Sequence, residues 1–133
     1  MRVPASILLL CTATGVIAAP AAGAAPVSPG DVVVYEVFSD GPLEQVQWQD
    51  ANGVTQVATP LEKTWSLQIT NQAPFNPVGP NYLVMASTYG KSVACRLTVN
   101  GVVVEKDSQV VPDAMHAVVC CQPLPGGGCV HVD

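Results

Sequence analysis

Five cysteines, two histidines, ten carboxylates and five basic residues are the groups through which this 133-residue chain could do chemistry. None stands in a catalytic arrangement. The sequence holds no Gly-x-Ser-x-Gly elbow, no His-Glu-x-x-His, no phosphate-binding glycine loop and no Ser-x-x-Lys pair. His116 and His131 are the only imidazoles, one on a strand and one three positions from the end. The carboxylates are dispersed: Glu44 and Asp50 bracket one strand, and Glu105 and Asp107 share the solvent face of another. Arg96 reads as a contact residue or as a charge partner of Glu105 across a hairpin. Cys120, Cys121, Cys129 and His131 have metal-ligating types, but adjacent cysteines rarely serve one tetrahedral ion and no spaced Cys pair accompanies them. The expectation is no catalytic residue, no metal and no cofactor, with the cysteines in disulfides.

Strand signals recur every 8 to 12 residues and must position these groups. Asp31–Ser39 is a continuous β-branched run. Glu44–Asp50 alternates, with Val46 and Trp48 on one face. Asn52-Gly53 reads as a type I′ hairpin turn into Gly53–Thr59. Thr64–Thr70 alternates again, placing Trp65, Leu67 and Ile69 together, and both tryptophans are expected to fill the core. Asn71–Pro80 carries three prolines and cannot be a central strand. Asn81–Thr88 and Ser92–Asn100 flank a turn at Tyr89-Gly90-Lys91, Asn100-Gly101 turns into Val102–Val110, and Ala114–Cys121 closes the set. No window shows capped helical periodicity. Seven to eight short alternating strands imply an all-β, antiparallel two-sheet sandwich over residues 31–122. A lead-in precedes it at 25–30, and a Gly/Pro-rich tail follows at 123–133.

The first 24 residues have another character. One early positive charge, an apolar stretch from Ile7 to Ala19 and the small residues Ala22-Gly23-Ala24 make the layout of a secretory signal peptide, cleaved after Ala24. The alternative is a retained N-terminal anchor, since Ile7–Ala25 could just span a bilayer. Either way the domain is exported. Cleavage removes Cys11 and leaves four cysteines, an even number suited to an oxidising compartment.

Strand alternation bears on their pairing. Cys95 shares a face with Val93, Leu97 and Val99. On the last strand Met115, Ala117, Val119 and Cys121 form an all-apolar face, which favours a buried Cys95–Cys121 bridge with Cys120 reaching Cys129. A bulge near Asp113 would exchange the faces and give Cys95–Cys120. Both stay open.

The net charge of −5, with 11% charged and 49% hydrophobic residues, excludes disorder and gives no basic face for nucleic acid or anionic lipid. Edge strands are pairing surfaces in principle, but no residue singles one out, and the oligomeric state is left open.

One stretch is specific. Ala94-Cys95-Arg96-Leu97-Thr98-Val99-Asn100-Gly101-Val102-Val103, followed by Glu105-Lys106-Asp107-Ser108, resembles the G-C-R-I-T-V-[DN]-G-x-V…K-[DE]-x-S segment of the MmpS family of small mycobacterial membrane proteins. Val33-Val34-Tyr35-Glu36-Val37, Asp50-Ala51-Asn52-Gly53, Trp65-Ser66 and Ala117-Val118-Val119-Cys120-Cys121 are similar to further segments of that family. The resemblance covers about residues 32–121. It implies an Ig-like extracytoplasmic β-sandwich, stapled by a disulfide, on a single N-terminal membrane helix. It also implies a non-enzymatic accessory role beside an RND-type MmpL exporter of lipids or siderophores. Aligned on Ala117, the family's two cysteines fall on Cys95 and Cys121. The chain departs from the family in its Ala/Pro-rich leader, its lack of a basic juxtamembrane segment, its added Cys120 and Cys129 and its longer Asn71–Pro80 loop. Those departures motivate the alternative of a freely secreted small-ligand or lipid-binding module. Phe75, Tyr89 and Lys91 are the loop residues expected to make contacts.

Overall fold

The computed structural model describes residues 27–110 and 116–123; the leader, most of the tail, and Cys11, Met115, Cys129 and His131 with the expectations placed on them lie outside that range. Eight strands form: β1 Val32–Ser39, β2 Leu43–Gln49, β3 Thr55–Ala58, β4 Thr64–Thr70, β5 Val84–Thr88, β6 Ser92–Val99, β7 Val102–Val110 and β8 His116–Cys120. They make two four-stranded antiparallel sheets, sheet A in the order β4-β1-β6-β7 and sheet B in the order β3-β2-β5-β8. The all-β sandwich expected from the strand pattern is therefore present. The chain changes sheet between β1 and β2, β3 and β4, β4 and β5, β5 and β6, and β7 and β8, so only the β2-β3 and β6-β7 hairpins are local pairings.

Alternation decides which side chains meet between the sheets. Val33, Tyr35 and Val37 of β1, Val93, Cys95 and Leu97 of β6, and Val46, Val84, Ala86 and Val118 of sheet B are buried. Each fully buried Val, Leu or Tyr contributes about 1.5–3 kcal/mol through apolar surface removed from water. Tyr35 also places its hydroxyl 2.8 Å from the Gln49 carbonyl oxygen, to which it donates, so the ring crosses the core with its polar end satisfied. Trp48 and Trp65 pack against this core from its margin rather than filling it; their rings lie 4.9 Å apart at 44° and close the sandwich on the β3-β4 side.

The two hairpin turns differ. Asn100 and Gly101 have φ of 51° and 84°, which is the paired left-handed geometry of a type I′ turn. At the other hairpin only Gly53 is left-handed, at 79°, so the expected type I′ turn at Asn52-Gly53 does not form. Asp50 explains the difference. Its Oδ1 accepts from Asn52 N at 2.9 Å and Val54 N at 3.0 Å, while its carbonyl accepts from Gly53 N at 3.0 Å. That is a wider loop with Gly53 at the bulge position, selected by an Asx side chain rather than by the Asn-Gly pair.

At the far end of β1 two loops touch. A Cβ on Gly41 would lie 2.7 Å from Gly90 Cα, so backbone meets backbone where no side chain fits. Ser39 and Thr88 share a hydrogen bond of 2.5 Å beneath this contact, and Gly41 N donates to Ser39 Oγ at 3.2 Å.

Candidate binding surface

The last strand carries the largest correction. Val118 and Cys120 pair with Ala86 and Val84 and are buried, whereas Ala117 is exposed and Val119 half-buried. Ala117 and Val119, expected to face inward, thus lie on the outer face of β8. Cys120, not Cys121, meets Cys95: their Cα atoms are 6.2 Å apart and a disulfide joins β6 to β8 across the two sheets. The physical reason is register. Thr88, fully buried through hydrogen bonds to Ser39 and the Pro42 carbonyl, sits opposite His116 and sets the same inward parity for Val118 and Cys120. Cys121 is buried and is itself disulfide-bonded.

Glu105 and Asp107 do not share a solvent face. They stand opposite Leu97 and Cys95 in the β6-β7 ladder, hence on the inward side of an edge strand. Between Leu97 and Thr98 the register shifts, so that Glu105 and Val103 oppose consecutive β6 residues, and the intervening Val104 packs against the core. From there Glu105 Oε1 accepts from Cys121 N at 2.8 Å and Asp107 Oδ2 accepts from Val119 N at 3.2 Å. The two carboxylates cover the free edge of sheet B, and inward charges of this kind block strand addition.

With Glu105 occupied there, Arg96 pairs elsewhere. Its register partner on β1 is Glu36, and the guanidinium donates from Nε to Oε1 at 2.7 Å and from Nη2 to Oε2 at 2.9 Å. This fork-on-carboxylate geometry fixes the planar head. Hydrogen bonding by Arg96 holds the Glu36 carboxyl below its usual range. The same guanidinium carbon lies 5.6 Å from the centroid of Phe38, close enough for a cation–π contact. Phe38 is 40% exposed on the outer face of sheet A. It floors a shallow cleft of about 510 Å³ with Ala94 and Ser108, rimmed by Arg96 and Lys106. A second depression of about 300 Å³ continues from Phe38, Ala94 and Ser108 to Val110, which is 76% exposed. The surface is an apolar floor with a fixed cation on one side. It suits contact with an apolar or amphipathic partner and carries no nucleophile–base pair.

The remaining residues expected to make contacts lie at the two ends of the sandwich. At the start of β1, Asp31 accepts from Tyr82 Oη at 2.7 Å, Ser28 N at 3.0 Å and Asn100 Nδ2 at 2.9 Å. Burial pushes the Asp31 carboxyl up, but these hydrogen bonds together bring it below its ordinary value. A cleft of about 220 Å³ lies here, lined by Asn52, Asn71, Asn76 and Asn81 among others. Asn81 spends its amide on the backbone of the 71–81 loop, which presents Phe75, and Asn71 divides its own between Ala73 of that loop and the Ser28 carbonyl. Tyr89 and Lys91 lie at the opposite end, where Lys91 N donates to Asp40 Oδ1 at 2.8 Å. The length of β1, about 3.3 Å per residue, separates Phe75 from them, so the three do not form one surface. The groove at Phe38 was missed because strand alternation alone does not say which outward apolar residues cluster.

Among the described residues no helix is long and apolar enough to cross a membrane, and no group of three His, Cys, Asp or Glu side chains is placed to hold a metal ion. No curated protein matches the chain at a significant level. A family model described as Mycobacterium membrane protein matches residues 6–123, nearly the whole sequence. With its β-sandwich, its disulfide and this match along its length, the chain belongs to that family, the MmpS-type small mycobacterial membrane proteins.

Proposed function

We propose that the chain is a non-enzymatic accessory protein of the cell envelope that docks on the extracytoplasmic part of an RND-type exporter of the MmpL kind and assists passage of an apolar lipid or siderophore cargo. Family membership supports the accessory role. The observation that carries the docking mode is the groove at Phe38, with its apolar floor and the rigidly held Arg96 on its rim. The groove is too shallow to enclose a lipid, so it acts as a contact surface rather than a carrier pocket. Residues on extended strands present this face without loop rearrangement, which keeps the ordering cost of association low. The disulfides at Cys95, Cys120 and Cys121 suit an exported domain.

The test is cross-linking and affinity recovery from cell envelopes, using the wild-type chain, Phe38→Asp and Ala94→Glu. The wild type recovers an RND exporter, and each variant loses most of that recovery while keeping its melting temperature. Recovery unchanged in both variants removes the groove from the interface. No exporter recovered by the wild type after repeated cross-linking removes the accessory reading itself.

A further inference from the structure

Three of the four sheet edges are protected. The free edge of β8 is covered by Glu105 and Asp107. Strand β3 is only four residues long. Strand β7 carries a register shift and the charged Glu105, Lys106 and Asp107. Among the described residues, strand β4 has none of these devices. Thr64-Trp65-Ser66-Leu67-Gln68-Ile69-Thr70 is seven residues long and pairs with β1 along its whole length without a shift. It contains no charge, no proline and no glycine.

The backbone phase of β4 follows from its ends. Ser39 N donates to the Lys63 carbonyl and Asn71 N to the Asp31 carbonyl, each at 2.8 Å, so odd-numbered β4 residues bond to β1. The N–H and C=O groups of Thr64, Ser66, Gln68 and Thr70 therefore point away from the sheet. The side chains of these four residues are exposed, while Trp65, Leu67 and Ile69 are half-buried on the inner face.

The sequence of β4 is symmetric in character about Leu67. We propose that β4 pairs antiparallel with β4 of a second copy of this chain, Leu67 against Leu67, joining two A sheets into one across a two-fold axis. In that register Ser66 opposes Gln68 and Thr64 opposes Thr70, and Trp65 opposes Ile69. Polar residues meet polar residues and apolar residues meet apolar residues, with no like charges opposed. Even-numbered residues meet even-numbered residues, so every outward-pointing donor finds an acceptor; a register one residue off would place outward groups against inward ones. The apolar pairs fall at the non-hydrogen-bonded positions, where facing side chains are closest. The interface is isologous and closes at two copies.

The experiment is sedimentation equilibrium of the full chain, wild type beside two double variants at exposed positions. Ser66→Lys with Gln68→Lys sets lysine against lysine in both symmetry-related pairs, whereas Ser66→Glu with Gln68→Lys sets glutamate against lysine in both. The wild type sediments as a dimer. The lysine–lysine variant raises the dimer dissociation constant about tenfold or more, and the glutamate–lysine variant restores wild-type association, all three with equal melting temperatures at dilutions where each is monomeric. A wild type that stays monomeric up to about 0.5 mM, roughly the range in which weak interfaces still form, overturns the proposal and leaves the edge to a strand of another protein. Two variants that behave alike overturn the register. If the lysine–lysine variant does not fold, the comparison of wild type with the glutamate–lysine variant decides: loss of association there refutes the pairing.

Discussion

Replacing Cys95 and Cys120 together by alanine tests the architecture most directly. The bridge spans 25 residues of chain and ties β6 of one sheet to β8 of the other. Closing a loop of that length removes about 3.5 kcal/mol of chain entropy from the unfolded state. Domains of this size lose about 4–8 °C in melting temperature per kcal/mol, so the double variant melts roughly 14–28 °C lower. Both positions are replaced because a single Cys95→Ala leaves Cys120 free beside Cys121, where thiol–disulfide exchange would confuse the result. The assay is thermal unfolding without reductant, followed by a thiol count on the unfolded protein. With Cys95 and Cys120 as partners, removing both frees no thiol beyond those of the wild type. A Cys95–Cys121 bridge with Cys120 on Cys129 would instead deprive both Cys121 and Cys129 of their partners and add two thiols unless these pair with each other, a case that peptide mapping of the wild-type Cys95 bridge decides. A melting temperature within about 5 °C of wild type refutes the entropic account, and an added thiol refutes the pairing.

Three further outcomes are expected. Gly41→Ala costs about 1–3 kcal/mol in urea unfolding, because its Cβ would lie 2.7 Å from Gly90 Cα and two loop backbones must separate; a neutral substitution would show the loops free to part. Glu105→Leu with Asp107→Leu strands the Cys121 and Val119 amides, costing about 1–3 kcal/mol for each. The bared β8 edge should also raise light scattering with concentration, and a variant as stable and as dispersed as wild type contradicts the capping role. In acid, Asp31 and Glu36 have carboxyls held below their ordinary values in the folded state. Their contribution is present above the unfolded values of about 3.9 and 4.3 and is lost as pH falls through the lower folded ones. Stability measured from pH 6 to pH 2 therefore drops at the acid end, and Asp31→Asn flattens part of that slope; an unchanged slope contradicts the network at Asp31.

Much of the fold was legible because it rests on period-two alternation. Ser92–Asn100 and Val102–Val110 are read almost to the residue, and Asn100-Gly101 forms the turn that its two left-handed positions require. Apart from the Asn52-Gly53 turn, which the neighbouring Asp50 side chain reshapes, the failures share a cause: each depended on how strands align against one another. The apolar composition of the Ala117 and Val119 face pointed to the wrong side, since the inward parity of β8 is set by Thr88 on β5. Of the two readings of Arg96, the charge pair with Glu105 across the hairpin fails, because a register shift at Val104 turns Glu105 inward and leaves Arg96 to Glu36, 60 residues away. The Phe38 groove needs β1, β6 and β7 side by side, which no local pattern reports.

The placement of β1 has a consequence for how the chain is born. Val32–Ser39 lies in the middle of sheet A, but its neighbours are β4 and β6, so the last of its partners ends at Val99. Chains are made from the N-terminus forward. While the ribosome adds the intervening residues, a β-branched run with one charge waits with at least one side unpaired. Such non-local sheets fold in milliseconds to seconds, long enough for an uncovered run of this composition to find another nascent chain instead. Truncation anywhere between β4 and β6 would make that wait permanent, so fragments ending there should accumulate as aggregate while chains completed through β8 do not. The strand order itself thus leaves one side of β1 unpaired until Val99 is in place, whatever the finished protein goes on to bind.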